Sequence, residues 1–132
     1  MNHIKQHPEY GRKLLFLKEA SDFVLEYAYR HATALIQASE NEGFGLPIIE
    51  ATCYRLAVLC SDIPVFREIA GDHAMYFARD EQSIAQCVEA FTRARERGTA
   101  PNPDRIEITT WREAAGRVYS MIVSDEHWLY RI

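Results

Sequence analysis

Short apolar segments alternate with stretches of helical periodicity along this chain, and this alternation restricts the fold more than any other feature. The apolar segments lie at residues 14–17, 34–36, 57–60 and 74–77. Each is too short for a helix and is typical of a strand that is buried on both faces of a sheet. Because parallel strands need crossover connections, the order predicts an open, doubly wound α/β fold with a parallel sheet flanked by helices.

The boundaries of several helices can be predicted from residues that cap helix amino ends. Ser21 and Asp22 precede an amphipathic stretch that should end near His31. Pro47 suits the first turn of a second helix. Further helices are predicted over residues 66–70, after Asp80, and after a capping box that joins Thr110 to Glu113.

Length and charge limit the classes of protein to which the chain can belong. At 132 residues it is long enough for one compact domain and too short for two separate cores. Its formal net charge of −4 provides no general attraction to nucleic acid or to an anionic membrane. We therefore predict no nucleic-acid partner, and any bound phosphate must be held locally.

The cysteines and the amino-terminal residues predict where the protein is found in the cell. Cys53, Cys60 and Cys87 lie among apolar residues and lack the paired spacing of a zinc site or a disulfide framework. We expect them to be reduced core residues. Residues 1–9 contain no apolar stretch of the signal-peptide type, which predicts a cytoplasmic location.

One loop lies where open α/β sheets bind ligands, after a predicted strand and before a helix. Its sequence is Ser39-Glu40-Asn41-Glu42-Gly43-Phe44-Gly45-Leu46, followed by Pro47-Ile48-Ile49-Glu50. Glycines allow a backbone to turn tightly and to approach a ligand closely, and the next helix presents N–H groups and the positive end of its dipole. The loop is therefore predicted to bind a diphosphate.

Two acidic residues flank this turn. Glu42 lies in the loop, where a carboxylate can accept hydrogen bonds from sugar hydroxyls, and Glu50 lies about one turn into the helix that follows. Acidic residues are also common near helix amino ends because they stabilise the dipole by about 0.3–1 kcal/mol each. Spacing alone therefore does not establish a ligand site.

The stretch Glu42-Gly43-Phe44-Gly45-Leu46-Pro47-Ile48-Ile49-Glu50-Ala51 resembles the Glu-x7-Glu signature of the retaining glycosyltransferases of family 4. Residues 25–32, 58–64 and 67–72 resemble the neighbouring helix, strand and loop of that family, so about residues 14–95 are covered. The resemblance implies a Rossmann-like open parallel sheet flanked by helices. This is the carboxyl-terminal, donor-binding half of the two-domain GT-B architecture.

The resemblance also implies a role for each residue of the motif. Glu42 would be the catalytic residue that contacts the donor sugar near the reacting centre, and Glu50 would hold the ribose hydroxyls. Backbone groups would reach the sugar and the diphosphate from Gly43, Phe44, Gly45 and Leu46. No metal ion or other cofactor is implied, because helix N–H groups and basic side chains meet the phosphate charge in this family. The donor substrate would be a nucleotide sugar.

Two parts of the family pattern are missing from the sequence. They are an earlier strand and helix, with an Arg and a Lys that grip the diphosphate, and the amino-terminal domain with the acceptor site. We therefore expect residues 1–132 to form a single, partial nucleotide-sugar-binding domain, with a core at about 14–95 and a helical segment at 105–126. Alone it should have little or no transferase activity. We expect apolar faces left uncovered to promote self-association, and the full enzyme to associate peripherally with a membrane.

Two positions depart from the family pattern near the strand at residues 57–60. Arg55 and Ala57 stand where the family usually has a glycine and a proline. The turn before this strand is therefore expected to be altered or strained.

Several other residues are weaker candidates. Ser39, Arg67 and Glu68 could also meet the ligand, although an ion pair in solvent is the structural alternative for Arg67 and Glu68. Trp111 and Trp128 lie in apolar patterns and are predicted to be packing residues rather than sugar platforms.

The function predicted from these observations is donor binding in a retaining glycosyltransferase. Such an enzyme would transfer a hexose to a glycan or lipid-linked acceptor in surface polysaccharide synthesis. A non-catalytic nucleotide-binding or interaction module is one alternative, and part of a nucleotide-sugar epimerase of the same architecture is another. The spacing of Glu42 and Glu50 favours transfer over epimerisation.

Overall fold

The computed structural model describes residues 2–123, and the chain divides into two compact units, Met1–Thr33 and Ala34–Ile132. The first unit contains helices α1 (Asn2–Gln6) and α2 (Asp22–His31). The second contains β1 (Ala34–Gln37), α3 (Leu46–Cys53), β2 (Ala57–Ser61), α4 (Pro64–Ala70), β3 (Met75–Phe77), α5 (Glu81–Glu96) and α6 (Trp111–Val123). No helix within the described range is long and apolar enough to cross a membrane. A single domain remains a prediction, and residues 124–126 of the predicted helical segment lie outside the described residues.

The sheet of the second unit is parallel, with strand order β1-β2-β3. Ala34 pairs with Ala57, and Leu59 pairs with Met75. Helix α3 connects β1 to β2, and α4 with a short 3-10 helix connects β2 to β3. The prediction of an α/β fold with an open parallel sheet flanked by helices is therefore confirmed.

The core is centred on β2. Val58, Leu59 and Cys60 are consecutive and all buried, so both faces of this strand are covered, as expected for the middle strand of a parallel sheet. On one side, Leu59 and Phe77 pack in a cluster with Cys87 and Phe91 of α5.

The predicted caps begin the helices where the sequence indicated. The Ser21 hydroxyl accepts a hydrogen bond from the first turn of α2 at 3.4 Å, and the Asp80 carboxylate accepts one from the first turn of α5 at 2.8 Å. The capping box before α6 also forms, with 2.7 Å from Thr110 N to Glu113 Oε2 and 3.2 Å from Glu113 N to Thr110 Oγ1. Each cap satisfies an N–H group that its helix leaves without an internal partner.

The strand predicted at residues 14–17 is not formed. Leu14 makes one isolated bridge with Tyr10, its N–H donates to the carbonyl oxygen of Glu9, and Leu15 is 70% exposed. A strand needs a neighbouring strand for its hydrogen bonds, and here the backbone forms a local turn instead. An apolar run alone was therefore insufficient to predict a strand.

Two burial predictions were also wrong. Trp111, predicted to be a packing residue, is 92% exposed at the start of α6, and Cys53 is exposed on α3. Cys60 and Cys87 are buried free thiols, as predicted. Periodicity shows which residues share a helix face but not whether another element covers that face. Trp128 lies outside the described residues.

The turn before β2 is strained, as the family pattern led us to expect. Arg55 has a φ of 58°, in the left-handed region that non-glycine residues rarely adopt. Its Nε lies 3.5 Å from Asp104 Oδ1. Both side chains of this ion pair are largely exposed, so the pair offsets little of the backbone strain.

Candidate functional site

The predicted ligand loop lies at the carboxyl edge of the sheet. Because the three strands are parallel, the residues that follow Gln37, Ser61 and Phe77 emerge at the same edge. The loop of residues 38–45 follows β1 and leads directly into α3. This is the edge at which open α/β sheets bind their ligands.

A closed set of hydrogen bonds holds the Glu42 carboxylate. Gln37 Nε2 donates to Ser39 Oγ at 2.8 Å and to Glu42 Oε1 at 3.1 Å. Ser39 Oγ donates to the same Glu42 oxygen at 2.8 Å. All three side chains are half-buried. The structure therefore brings together two predicted site residues, Ser39 and Glu42, and adds Gln37, which the sequence analysis missed.

The two glycines of the loop have different structural roles. Gly45 is the N-cap of α3, has a φ of 71°, and is buried, so it satisfies the predicted need for a tight turn. A Cβ added there would lie 2.8 Å from Ile69 Cδ1 and 3.3 Å from Phe66 Cε1. Gly43 has no left-handed φ, and a Cβ added to it would meet no protein atom within 4 Å. Neither backbone geometry nor packing explains a glycine at residue 43, whereas close approach of a ligand would.

The amino end of α3 has no side-chain cap. Gly45 offers no side chain, unlike the capping residues before α2 and α5. Phe44 and Leu46 are 63% and 57% exposed on either side of it, and Glu50 is exposed further along the helix. The positive end of the helix dipole is thus flanked by the exposed residues of the motif.

Arg67, a weaker candidate, is engaged in an ion pair with a residue that was not expected. Its Nε and Nη2 donate to the two carboxylate oxygens of Asp62 at 2.7 and 2.8 Å. Its Cζ also lies 3.7 Å from the centroid of the Tyr76 ring. The bidentate bond to Arg67 lowers the pKa of Asp62, and the same bond raises the pKa of Arg67. Glu68, the other weaker candidate on α4, is exposed.

Cys60 and Tyr76 lie near this ion pair, and the ionised forms of both side chains are disfavoured. Burial, reinforced by Cys87, raises the pKa of Cys60 to about 12. Burial, reinforced by Cys60, raises the pKa of Tyr76 to about 12. The Tyr76 hydroxyl lies 2.7 Å from the carbonyl oxygen of Gly71, to which it can donate. Both groups are therefore neutral near pH 7.

Arg79 is a second residue that the sequence analysis missed, and its side chain contacts the site loop. Arg79 follows β3, and its Nη1 donates to the carbonyl oxygen of Glu40 at 3.2 Å. This bond links the segment before α5 to the loop after β1.

Sequence signals for the two missed residues existed but were weak. Gln37 is a polar residue directly after the apolar run 34–36, and Arg79 is a cation two residues after the apolar run 74–77. In a parallel sheet both positions lie at the ligand-binding edge. A search for polar residues at strand ends would have selected them, although their hydrogen-bond partners depend on loop conformation.

Comparisons with known proteins agree with this picture of the fold. The family model described as glycosyl transferases group 1 matches residues 2–106. The chain is 42% identical over 113 residues to the serotype-specific mannosyltransferase WbdA of Escherichia coli, an alignment that covers 85% of this chain and 14% of WbdA.

Two further relatives are also named as mannosyltransferases. Over 74 residues the chain is 43% identical to the O-antigen chain mannosyltransferase RfbU of Salmonella typhimurium, covering 56% of this chain and 21% of RfbU. Over 123 residues it is 28% identical to the lipopolysaccharide core biosynthesis mannosyltransferase LpcC of Rhizobium leguminosarum bv. viciae, covering 86% of this chain and 34% of LpcC. The chain thus spans about a third or less of the length of each of these relatives.

Proposed function

The chain belongs to the glycosyl transferases group 1 family, and we propose that it is the donor-binding part of a retaining mannosyltransferase of surface polysaccharide synthesis. The names of the mannosyltransferases WbdA, RfbU and LpcC support mannose as the transferred sugar. The proposal depends on one observation. The hydrogen-bonded carboxylate of Glu42 stands beside Gly43, which has open space around it, and just before the uncapped amino end of α3.

The proposed binding mode divides the donor among three parts of the site. The diphosphate lies against the amino end of α3, where the dipole and backbone N–H groups stabilise negative charge. Glu42 binds the sugar and Glu50 binds the ribose hydroxyls. Backbone groups of residues 43–46 contact the sugar and the diphosphate. As in the family pattern that the sequence resembles, no metal ion is part of this proposal.

The proposed reaction transfers mannose with retained anomeric configuration. The bond between the sugar C1 and the diphosphate oxygen breaks, and the nucleoside diphosphate leaves with the electron pair. A bond forms between C1 and the acceptor oxygen, whose proton passes to the departing diphosphate. The amino end of α3 stabilises the charge that develops on the leaving diphosphate, and Glu42 holds the sugar near the reacting carbon.

Titration of the purified chain with nucleotide sugars tests donor binding. Isothermal titration calorimetry would compare GDP-mannose, UDP-glucose and their nucleoside diphosphates on the unchanged chain and on Glu50→Ala. We expect Glu50→Ala to weaken nucleotide binding about tenfold, because hydrogen bonds to a charged group are lost. Glu107→Ala, a change at another exposed glutamate, is the matched control and should bind as the unchanged chain does. Equal affinity of Glu50→Ala and the unchanged chain would remove Glu50 from the ribose site.

We further propose that the acceptor site and the diphosphate-gripping basic residues belong to protein outside these 132 residues. The chain alone should then transfer no mannose to an oligomannose acceptor, even when it binds GDP-mannose. Efficient turnover by the purified chain would contradict this part of the proposal. Binding that does not distinguish sugar nucleotides from free nucleotides would instead favour a non-catalytic nucleotide-binding module.

Self-association and cellular location are proposals of the same kind. Helix α6 has no buried residue and exposes Val118, Tyr119 and Ile122, which supports self-association of the isolated chain. A monomeric mass at high concentration in light scattering would contradict it. A cytoplasmic location, with peripheral membrane association of the full enzyme, can be tested by cell fractionation.

A further inference from the structure

The backbone of Gln37 is fixed by the sheet. It is the last residue of β1, and its register partner on β2 is Cys60, which is fully buried. The hydroxyl of Ser61, also fully buried, lies 3.5 Å from the carbonyl oxygen of Gln37. The Cα atom of Gln37 therefore belongs to the rigid core, so the position of its side chain does not depend on the loop.

The amide nitrogen of Gln37 donates to two atoms of the site, Ser39 Oγ and Glu42 Oε1. The Ser39 hydroxyl donates to that same carboxylate oxygen. The opposite amide orientation would place a carbonyl oxygen against a carboxylate oxygen. The orientation of the three side chains is therefore mutually determined.

These bonds distinguish the two oxygens of Glu42. Oε1 receives two hydrogen bonds, whereas no hydrogen bond to Oε2 is found among residues 2–123. A carboxylate oxygen accepts about two hydrogen bonds in its plane, so Oε1 is saturated by the protein. Oε2 retains its capacity to accept hydrogen bonds from a ligand.

We propose that Gln37 is a positioning residue for sugar recognition: it fixes the Glu42 carboxylate from the end of β1 so that Oε2 accepts a hydroxyl of the donor hexose. This inference rests on the proposed function of the site. Without the Gln37 donors, the carboxylate keeps only the hydrogen bond from Ser39 to Oε1, and binding of the sugar must then order it further. Affinity for the sugar-bearing nucleotide therefore falls, while affinity for the same nucleotide without its sugar is unchanged.

The test compares GDP-mannose with GDP by calorimetry on Gln37→Glu, which keeps the size of the side chain but removes both donors. We expect GDP-mannose to bind about tenfold more weakly and GDP to bind within about twofold of the unchanged chain. Gln86→Glu makes the same charge change at an exposed residue of α5 and is the control. Gln37→Leu, which adds no charge, should give the same pattern and separates donor loss from charge repulsion.

The possible results separate the two proposals. If the unchanged chain binds GDP-mannose and both Gln37 variants keep its ratio of GDP-mannose to GDP affinity, the positioning role is wrong and the proposed function stands. If the unchanged chain binds no nucleotide sugar, the proposed function fails and the inference fails with it. If a Gln37 variant loses its fold, judged by circular dichroism, Gln37→Met provides the second measurement, because it has a similar size and no side-chain donor. An unchanged affinity ratio in Gln37→Met would also overturn the inference.

Discussion

The α-carbon of Gly45 faces the side chain of Ile69, so that a Cβ at residue 45 would lie 2.8 Å from Ile69 Cδ1. Gly45→Ala should therefore destabilise the fold by about 1–3 kcal/mol, because it combines a left-handed φ with overpacking against α4. The free energy of unfolding from urea denaturation would measure this. Unchanged stability would mean that the turn before α3 can relax.

Gly43→Ala should leave the stability of the fold nearly unchanged but weaken ligand binding. Its Cβ would enter open space and its backbone needs no left-handed φ, so we expect the unfolding free energy to stay within about 1 kcal/mol. The same Cβ would obstruct a ligand that approaches the backbone closely. Calorimetry should show at least about tenfold weaker binding of GDP-mannose. Full affinity would show that the ligand does not pack against residue 43.

Arg55→Gly should stabilise the chain by about 0.5–1 kcal/mol, because glycine adopts the observed φ of 58° without strain. Arg97→Gly is the matched control. Arg97 has a φ of −87°, so its replacement removes no strain and should be neutral or destabilising. Thermal and urea unfolding of both variants would test the contrast, and Arg55→Ala would show whether losing the ion pair with Asp104 alone has an effect. Equal effects of the two glycine variants would argue against strain at residue 55.

The Asp62–Arg67 pair should make stability depend on acid pH. Because the bond to Arg67 lowers the pKa of Asp62 in the folded state, the pair contributes its stability above the unfolded pKa of about 4, and this is lost as the pH falls through the folded pKa. As the pH falls from 6 to 2, the free energy of unfolding measured with urea should decline less in Asp62→Asn than in the unchanged chain. In Arg67→Gln, the pKa of Asp62 measured by NMR should move back toward its ordinary value. Identical pH profiles would show that the pair does not contribute.

The three cysteines should react at very different rates. Cys53 is exposed, whereas burial raises the pKa of Cys60 to about 12 and also raises the pKa of Cys87. Thiolate is the reactive form, so iodoacetamide at pH 8 should modify Cys53 first. Mass spectrometry of digested protein would identify the site, and labelling in urea, where all three should react, is the control. Early labelling of Cys60 would indicate local opening of β2.

Local chemistry explains which structural features could be predicted from the sequence. The caps at Ser21 and Asp80, and the box of Thr110 and Glu113, depend on residues within three positions of each other. Such interactions are encoded over a few residues, so their patterns are specific. The strands of the second unit were recognised because apolar runs alternated with helices.

Features that depend on distant partners were predicted less well. The run at residues 14–17 had the composition of a strand but no neighbouring strand for its backbone, and Trp111 had a helical apolar pattern without cover. Within the site, Glu42 could be selected from the motif, but the hydrogen bond from Gln37 to Glu42 depends on the path of the loop between them. The bond from Arg79 to Glu40 spans 39 residues and is set by the order of the strands.

The hydrogen bond from Gln37, at the end of β1, to Glu42 also bears on how the sugar preference of such a site can change. The carboxylate is oriented from the sheet, so the exposed side chains of Phe44 and Leu46 are not needed to hold it. Substitutions at these two positions would therefore reshape the surface of the proposed donor site while the acid keeps its direction. Mutant libraries that seek altered sugar preference should vary residues 44 and 46 and leave residues 37, 39, 41 and 42 unchanged, because the Asn41 side chain accepts a hydrogen bond from Glu42 N.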